Sequence, residues 1–521
     1  MKKFFTLIMT VACSALTAWA TDYTCPLTVV LNGSDIPCGD TKISVTEENG
    51  STTLSLMNFS MMGMVVGDIV LTDVVTTKCG VVTSLYAQKK ITITSSEEEA
   101  LGPRLGEVPI LMNAEIRGDK MNAILAINMG GDLGVIGVRL GEKVDDLGQI
   151  ANGSFDNWHT ATLGSASGNE PNAWHSFISC SGSFASTVAL KTRLEKVTET
   201  VDGSSNTYAK VSSNSVNIIF KTISANGTIT TGRLAAVNTD AAKNYSYLDM
   251  SKSDVDGNED PFYTVMTNKP DALKLKVNFK VGKRSSDNSN INALASAYIT
   301  YGEEFRDPDT KYTNYVANIN YEIPNTNDAW QELTLPFSYK SDATVSPKAL
   351  LVTLSTCSVP AGGSTDADNP DVLCVDDVSL VYYAELSSLK FKNQELTVDD
   401  KGVATISLND GETFSVSDIV ATAKGVGAYV SVSPLSYDED KGETTADITI
   451  ISNDLKTYNI YTLKVTGGKP ITTGVEKPAI SGSKQVTGIY NLNGQRVNEQ
   501  VKGQVYITKY ADGSTVKTIG K

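Results

Sequence analysis

The sequence predicts an almost entirely β-stranded protein built from successive β modules. Apolar residues alternate with polar ones in short runs, and Gly, Asn, Asp and Ser separate the runs. Hardly any window keeps a helical period over about ten residues. The runs between Thr52 and Gly141 follow one another closely, as sequential hairpins do. A meander of this length hides its edge strands most simply by closing into an up-and-down barrel.

The N-terminus has the organisation of a secretory signal peptide over residues 1–20. A charged start, an apolar run and the small-x-small end Ala18-Trp19-Ala20 predict cleavage after Ala20. Lipidation of Cys13 is the alternative. No later apolar run is long enough to span a bilayer, so we expect a secreted or outer-membrane-surface protein that is not integral to the membrane.

Charge and cysteine content narrow the function classes. A net charge of −15 argues against nucleic acid as a partner, because phosphates require a basic face. Six of the seven cysteines follow the signal peptide, and the local pairs Cys25/Cys38 and Cys357/Cys374 could each close a short loop, although the sequence does not fix the connectivity. No CxxC spacing exists, which disfavours a cysteine zinc site or redox motif.

The first module, residues 21–142, contains "VGDIVLTDV" and "GPRLGEVPILMNAEIRGDKM". These blocks resemble the calycin-like β-barrel domain of secreted proteins from gut-type Gram-negative bacteria, which implies a small up-and-down barrel and no particular ligand. Methionines are concentrated here, and they either fill gaps in the barrel interior or line an adaptable pocket for an apolar ligand. The methionines concerned include Met57, Met61, Met62 and Met64.

The second module, residues 150–385, has strand-like runs joined by long polar loops and is expected to form a β-sandwich jelly roll. Six blocks resemble, in family order, the family named "putative carbohydrate metabolism domain" and, more remotely, carbohydrate-binding jelly rolls. The resemblance implies carbohydrate as the partner. The blocks are "NGSFDNW", "PNAWHSF", "ANGTITTGRL", "KPDALKLKVNFK", "WQELTLPFSY" and "VDDVSL".

The two histidines of the chain each follow a tryptophan, in Trp158-His159 and Trp174-His175. If residues Asn152 to His159 form an extended strand with Phe155 pointing inward, alternation puts Trp158 on the more exposed face. A flat indole there would stack on a sugar ring while an imidazole binds hydroxyls, so these four residues are the candidate carbohydrate site. The alternative is that the tryptophans close the ends of the sandwich and the histidines hydrogen-bond to loop backbone.

A structural calcium ion is expected at Asp376, which shares a strand face with apolar neighbours. An unpaired buried carboxylate is costly, and calcium or dense hydrogen bonding relieves that cost. In the carbohydrate-binding jelly rolls that this module resembles, an Asp at the matching position joins residues near the first strand around calcium, and Asp156 would complete the site here. The run "SDVDGNEDP", residues 253–261, also spaces acids like a calcium loop, but it lacks the later bidentate Glu, which favours a polar surface turn.

Catalysis has weaker support in the sequence. HExxH, GxSxG, Walker-type and GxGxxG motifs are all absent. The acid pairs Glu303-Glu304 and Asp307/Asp309 leave glycoside hydrolysis open, although such charged loops are usually solvated. The sequence therefore favours a non-catalytic carbohydrate-binding protein. The alternatives are a glycoside hydrolase, a lipophilic-ligand binder that uses the barrel, and a structural or adhesin scaffold.

Two further modules complete the chain. Short strands over residues 386–467 fit an immunoglobulin-like β-sandwich that serves as a spacer, and a flexible linker follows. Residues 484–521, with "IYNLNGQRV" and "KGQVYI", resemble a C-terminal sorting domain of type IX secretion. That resemblance implies a small β tail with the secretion machinery as its partner.

Overall fold

A computed structural model describes residues 19–61, 63–130, 134–218, 221–257, 259–284, 291–341, 345–471, 486–491, 495–497, 505–510 and 515–519. Strands make up 59% of the chain and helices 4%, which confirms the predicted all-β fold. Most of the predicted signal peptide, including Cys13, lies outside the described residues, as does most of the linker that follows residue 471. No helix in the described part of the chain is long and apolar enough to cross a membrane.

The N-terminal module is a closed barrel in which each strand pairs antiparallel with the next and the first also pairs with the eighth. This arrangement confirms the predicted up-and-down barrel. Its strands are β1 Trp19–Leu31, β2 Ser34–Glu48, β3 Ser51–Met61, β4 Met64–Cys79, β5 Val82–Thr92, β6 Glu107–Arg117, β7 Lys120–Gly130 and β8 Gly134–Leu140. A 3-10 turn, Gly102–Arg104, precedes β6.

The barrel interior is a packed apolar core, because alternate residues of every strand point inward. Val29, Leu56 and Leu125 are fully buried there. The methionines are divided between the two sides of the wall: Met112 lies in the core, whereas Met57 is 50% exposed. Met62 lies outside the described residues.

The strands of the central module are β9 Trp158–Leu163, β10 Ala166–Pro171, β11 Leu194–Val201, β12 Ser204–Ser212, β13 Asn214–Ile218, β14 Lys221–Ala225, β15 Thr228–Thr230, β16 Arg233–Ala235, β17 Tyr245–Tyr247, β18 Asp249–Asp254, β19 Asp260–Phe262, β20 Thr264–Val265, β21 Ala272–Lys280, β22 Ala293–Thr300, β23 Arg306–Asp307, β24 Tyr315–Ile323, β25 Gln331–Pro336, β26 Ser338–Tyr339, β27 Ala349–Ser355 and β28 Val372–Val381. Most of them form two large antiparallel sheets, and the others form small two- and three-stranded sheets. The first large sheet has the strand order β11-β12-β28-β21-β25, and the second has the order β15-β27-β22-β24-β26, with β20 also paired to β27. Helical turns are α1 Ala185–Ala189 and the 3-10 segments Val144–Asp146 and Ala241–Lys243.

The two sheets form a sandwich around one apolar core. Leu275 and Val277 of the first sheet share that core with Ala297 and Val352 of the second, and all four are fully buried. Because side chains alternate along a strand, the neighbours of these core residues point away from the sandwich. The outer face of the second sheet therefore carries polar residues such as Thr353.

The third module is built from short sheets around a separate apolar core. Its strands are β29 Leu386–Phe391, β30 Gln394–Leu396, β31 Val403–Ser407, β32 Thr413–Phe414, β33 Ile419–Ala423, β34 Tyr429–Val432, β35 Ser436–Asp438, β36 Glu443–Ile451, β37 Tyr458–Thr466 and β38 Lys469–Pro470, with a 3-10 turn at Val416–Asp418. In the larger sheet, β31 pairs in parallel with β37, while the other pairs are antiparallel.

The described parts of the tail form an antiparallel sheet, β39 Val486–Asn491, β40 Val505–Tyr510 and β41 Thr515–Ile519. Recognition of this tail by a secretion apparatus stays a prediction, as do the predicted domain boundaries.

The third module packs on both other modules and does more than space them. The backbone carbonyl of Asn453 accepts hydrogen bonds from Asn113 of the barrel at 3.1 Å and Asn268 of the sandwich at 2.8 Å. Leu147, between barrel and sandwich, lies in an apolar cluster with Ile451. The junction of three modules is therefore buried around one loop of the third.

All six cysteines in the described residues are free thiols. Neither short loop is closed: Cys25 instead donates to the Met121 carbonyl at 3.4 Å, and Cys357 is buried without a disulfide partner. The two local pairings are therefore not formed in this structure.

Candidate functional site

The segment before the first Trp-His pair is a turn, and the alternation that we expected from Asn152 to His159 is wrong. Asn152 and Phe155 have φ values of 50° and 53°, in the left-handed region that a strand does not use. The Asn152 amide stabilises the turn by donating to the carbonyls of Asn157 and Asn172, each at 2.9 Å. The strand begins only at Trp158.

The two tryptophans pack on the sandwich core. Trp174 is fully buried against Phe155, with ring centroids 5.2 Å apart, and its indole N–H donates to the Ala151 carbonyl at 3.2 Å. Trp158 is partly buried against the same core and donates to the Phe155 carbonyl at 2.5 Å. Trp174 has no face free for a sugar ring, so its expected role as a stacking platform is wrong, and the predicted alternative of a plug describes it.

The two histidines instead converge on a buried acid from a distant hairpin. Nε2 of His159 and Nδ1 of His175 each lie 3.3 Å from the same oxygen, Oδ2 of Asp254. His175 is fully buried, and the side chain of Asp254 is 6% exposed. Nδ1 of His159 lies 2.9 Å from the Asn172 amide oxygen, which orients that ring.

The run "SDVDGNEDP" turns at the surface as predicted, with Val255 83% exposed, but it also buries Asp254. Its hairpin, β18–β19, is anchored to the histidine segments at three acids. Besides Asp254, Asp256 accepts from the backbone N–H and hydroxyl of Thr162 at 2.8 and 2.9 Å, and Asp260 accepts from the Ala173 N–H at 2.9 Å. Asn258 lies outside the described residues.

A second buried carboxylate, Glu170, adjoins the same cluster. It has no exposed surface, and its Oε1 accepts from the backbone N–H of Ser176 at 2.7 Å and from the Ser176 hydroxyl. One ligand-type atom each from His159, Glu170 and Asp254 lies within 4.8 Å of the others. We call His159, Glu170, His175 and Asp254 the histidine cluster.

Burial and charge act against each other in the histidine cluster. Burial raises the pKa of Glu170, and His175 and Ser176 oppose that shift only in part. Burial also acts to raise the pKa of Asp254, but the two histidines outweigh it and bring that pKa well below its usual range. For His159, burial acts to lower the pKa, and Asp254 and Asn172 reverse the shift so that the pKa is raised.

The residues predicted to bind calcium lie apart from the histidine cluster. Asp376 is buried, but its carboxylate accepts from the Asn206 amide at 3.0 Å and from the Asp377 N–H at 2.8 Å. Asp156 is exposed and accepts from the Ser154 hydroxyl at 2.8 Å. Hydrogen bonds therefore relieve the buried carboxylate, and calcium at this position stays a prediction.

A cleft of about 350 Å³ lies on the outer face of the second sheet. Asn320 and Glu322 of β24 and Thr353 of β27 form part of its floor, and the rings of Phe177 and Tyr245 form part of its wall. The cleft mixes aromatic surface with amide, hydroxyl and carboxyl groups, which is typical of sites that bind small polar ligands. The alternation of apolar and polar residues along β24 and β27 is the sequence pattern from which this polar face could have been predicted. The loops that cover the cleft show no comparable pattern.

The acid pairs predicted from "YGEEFRDPD" separate in the structure. Only Asp307 lines the cleft, while Glu303 and Glu304 are exposed outside it. Burial raises the pKa of Asp307, and hydrogen bonds from Ser296 and Tyr298 lower it only in part. Oδ2 of Asp307 accepts from the Ser296 hydroxyl at 2.9 Å. The other carboxyl group that lines the cleft is that of Glu322, which sequence reasoning missed.

Comparison with known proteins identifies the first module. Residues 19–139 match the family model described as the calycin-like beta-barrel domain. The N-terminal barrel is calycin-like. No match is found among curated proteins.

Solved structures add little to this assignment. One, described as "a putative glycoside hydrolase from Bacteroides thetaiotaomicron", has 12% sequence identity and a TM-score of 0.30, and the match covers 54% of this chain and 87% of that chain. The structure of infectious bursal disease virus Gt strain has 12% identity and a TM-score of 0.11, with 70% and 76% covered. At these TM-scores, neither similarity carries an argument about the function of this chain.

Proposed function

We propose that this protein binds carbohydrate, without cleaving it, in the cleft on the outer face of the second sheet. The observation that carries the proposal is the composition of that cleft, in which aromatic walls meet a polar floor. Sugars present apolar ring faces and rings of hydroxyl groups, so both kinds of surface are needed to bind them. The volume of about 350 Å³ lies near the lower end for ligand pockets, which suits a short saccharide or a chain end.

Two residues of the cleft are suited to direct contact with a sugar. The guanidinium of Arg306 lies 4.6 Å from the ring centre of Tyr245, on one face of the ring, and holds the ring in place at the cleft wall. Asn320 is exposed on the floor and makes no side-chain hydrogen bond with another described residue, so its amide is available to a ligand. Other amides of the cleft are engaged: that of Asn244, for example, bonds the backbone of Asn238.

Glycan-array binding followed by calorimetry on the full chain tests the proposal. We expect Tyr245→Ala and Asn320→Ala each to weaken glycan binding at least about tenfold, the effect of losing one good contact, with little change in melting temperature. Tyr437→Ala is the matched control, because this tyrosine is 52% exposed in the third module. Glycan affinity that is unchanged in both cleft variants would refute the proposed site.

Glycoside hydrolysis is the second candidate function, and the position of Asp307 favours it. An acid with a raised pKa lies in the same cleft as the exposed Glu322, and hydrolysis requires one protonated and one ionised carboxyl group. Release of reducing sugar from an array-selected glycan, abolished in Asp307→Asn, would establish this activity. Binding without release leaves the protein as a carbohydrate-binding protein.

We also propose that the protein is secreted or attached to the outer-membrane surface. The support is the signal-like pattern of residues 1–20 and the sorting-like tail. Cell fractionation with N-terminal sequencing should find a mature chain that starts at Thr21 in the envelope or medium. A cytoplasmic pool that retains Met1 would contradict this location.

A further inference from the structure

We propose that the histidine cluster of His159, Glu170, His175 and Asp254 binds one divalent transition-metal ion, with zinc the best fit. The site lies apart from the carbohydrate cleft, and the inference does not depend on the proposed function. The ion would have a structural role, because it would tie the segments around His159 and His175 to the β18–β19 hairpin.

Two distances in the histidine cluster match tetrahedral coordination. Both histidine nitrogens lie 3.3 Å from Oδ2 of Asp254. Ligand atoms about 2.0–2.1 Å from a tetrahedral zinc ion are about 3.3 Å from one another. The two nitrogen–oxygen separations therefore equal two edges of such a tetrahedron, which meet at Oδ2 of Asp254. Glu170 supplies a further ligand oxygen, within 4.8 Å of the atoms from His159 and Asp254.

Hydrogen bonds within the protein do not satisfy these proposed ligand atoms. Nε2 of His159, both ring nitrogens of His175, Oε2 of Glu170 and Oδ2 of Asp254 are buried, and apart from the two 3.3 Å contacts between the histidines and Asp254 none of them has a hydrogen-bond partner among the described residues. Buried polar groups in proteins are nearly always hydrogen-bonded, and an unpaired one costs about 1–3 kcal/mol. Unpaired atoms of four neighbouring residues at one point indicate a missing common partner that accepts lone pairs.

The charges of a metal-bound cluster would balance. Histidine ligands bind a metal in the neutral form, so with a metal bound Glu170 and Asp254 would supply two negative charges in a region nearly closed to solvent. Arg233, the nearby cation, is engaged elsewhere: it bonds Asp249 at 2.9 Å and lies 4.6 Å from the ring centre of Phe262. A divalent ion would neutralise the two carboxylates without burying a net charge.

The ligand types select the metal. Imidazole nitrogen suits zinc and other late first-row ions, whereas calcium and magnesium take oxygen ligands. The structure brings ligand atoms of His159, Glu170 and Asp254 together, and His175 is the candidate for the fourth ligand because its Nδ1 lies 3.3 Å from Oδ2 of Asp254. With His175 bound, the ion would have no open position, which is the pattern of structural rather than catalytic zinc sites.

The backbone of the hairpin packs closely against the histidine cluster. Gly257 lies so close to the cluster that a Cβ added there would be 2.8 Å from Cε1 of His159 and 3.0 Å from Oδ2 of Asp254. Glycine is therefore required for the hairpin to close over the proposed ligands.

Metal analysis of the full chain, made without an oligohistidine tag, tests the inference. After incubation with Zn²⁺ and desalting, we expect one zinc ion per chain by mass spectrometry and a melting temperature that rises with free zinc. Co²⁺ in place of zinc should give visible d–d bands without the intense thiolate charge-transfer absorption that binding to the six free cysteines would produce.

Two variants and a control locate the ion. Glu170→Gln and His159→Gln should each weaken zinc binding at least about tenfold. Asp256→Asn is the matched control, because it alters the same hairpin but not the cluster, and it should retain zinc. Wild-type protein that keeps no zinc and whose melting temperature ignores it overturns the inference, whether or not the variants fold. Undiminished zinc in both variants overturns it as well, since the ion would then be bound elsewhere.

Discussion

The calycin-like barrel and the central sandwich bury alternating strands in different ways. The barrel fills its interior with apolar side chains contributed by all eight strands. The sandwich has an apolar core of similar kind, but it also buries two histidines and two acids beside that core, and it holds a polar cleft on one outer face. Buried polar groups cost stability, so a fold keeps them where they have a further role. The contrast favours the sandwich over the barrel as the module that carries the proposed function.

The largest effect that we expect is from Trp174→Ala, which tests whether the tryptophans of the sandwich belong to its core. Removal of this fully buried ring should cost about 3–5 kcal/mol of unfolding free energy. Trp158→Ala should cost less, because that ring is only partly buried. Chemical denaturation of the full chain, followed by tryptophan fluorescence, measures both. A Trp174→Ala protein that keeps its stability but loses glycan binding would restore the sugar-platform hypothesis.

The next effect concerns the barrel, where Leu125→Ala should cost about 2–5 kcal/mol and leave glycan affinity unchanged. Leu125 is fully buried in the barrel core, far along the chain from the cleft residues. The same denaturation and calorimetry experiments measure both quantities. Displacement of a fluorescent lipophilic probe by fatty acid in the wild-type barrel would contradict the filled interior and favour a lipophilic-ligand binder.

The fold was predictable from the sequence because its signals are local. Strand alternation and turn residues predicted the barrel and the two-sheet sandwich without knowledge of distant contacts. Alternation failed where a turn replaced a strand, as at Asn152 and Phe155, whose left-handed backbone cannot be deduced from neighbouring residues.

The histidine cluster was not predictable in the same way. Asp254 meets His159 and His175 only because the β18–β19 hairpin folds back on the Trp-His segments, and no local pattern encodes that contact. One signal was present: the regularly spaced acids of "SDVDGNEDP" lack a bidentate Glu from their own loop, and ligands from elsewhere can replace it. The loops that cover the cleft left no comparable signal.

The smallest effect concerns pH and the outside of the barrel. Burial raises the pKa of Glu115 to about 7, with Asp146 adding to the shift and Arg117 opposing it. The folded chain therefore holds this proton up to about pH 7, whereas the unfolded chain releases it near its ordinary value of 4.5. Between these two values folding takes up a proton, so this group's contribution to stability is full below about pH 4.5 and declines as the pH rises towards 7.

Glu115→Gln isolates that contribution, because glutamine has a similar shape and does not titrate. The difference in unfolding free energy between the variant and wild type should change by about 1 kcal/mol in favour of the variant between pH 5 and pH 8. This is less than the full pKa shift would give, because the side chain is only half-buried. Urea unfolding of both proteins at the two pH values measures the difference. A wild-type-to-variant difference that does not change with pH would show that Glu115 ionises normally. A change of the expected sign would confirm that the barrel buries Glu115 in its neutral form, on a strand position that alternates with the core residue Ala114.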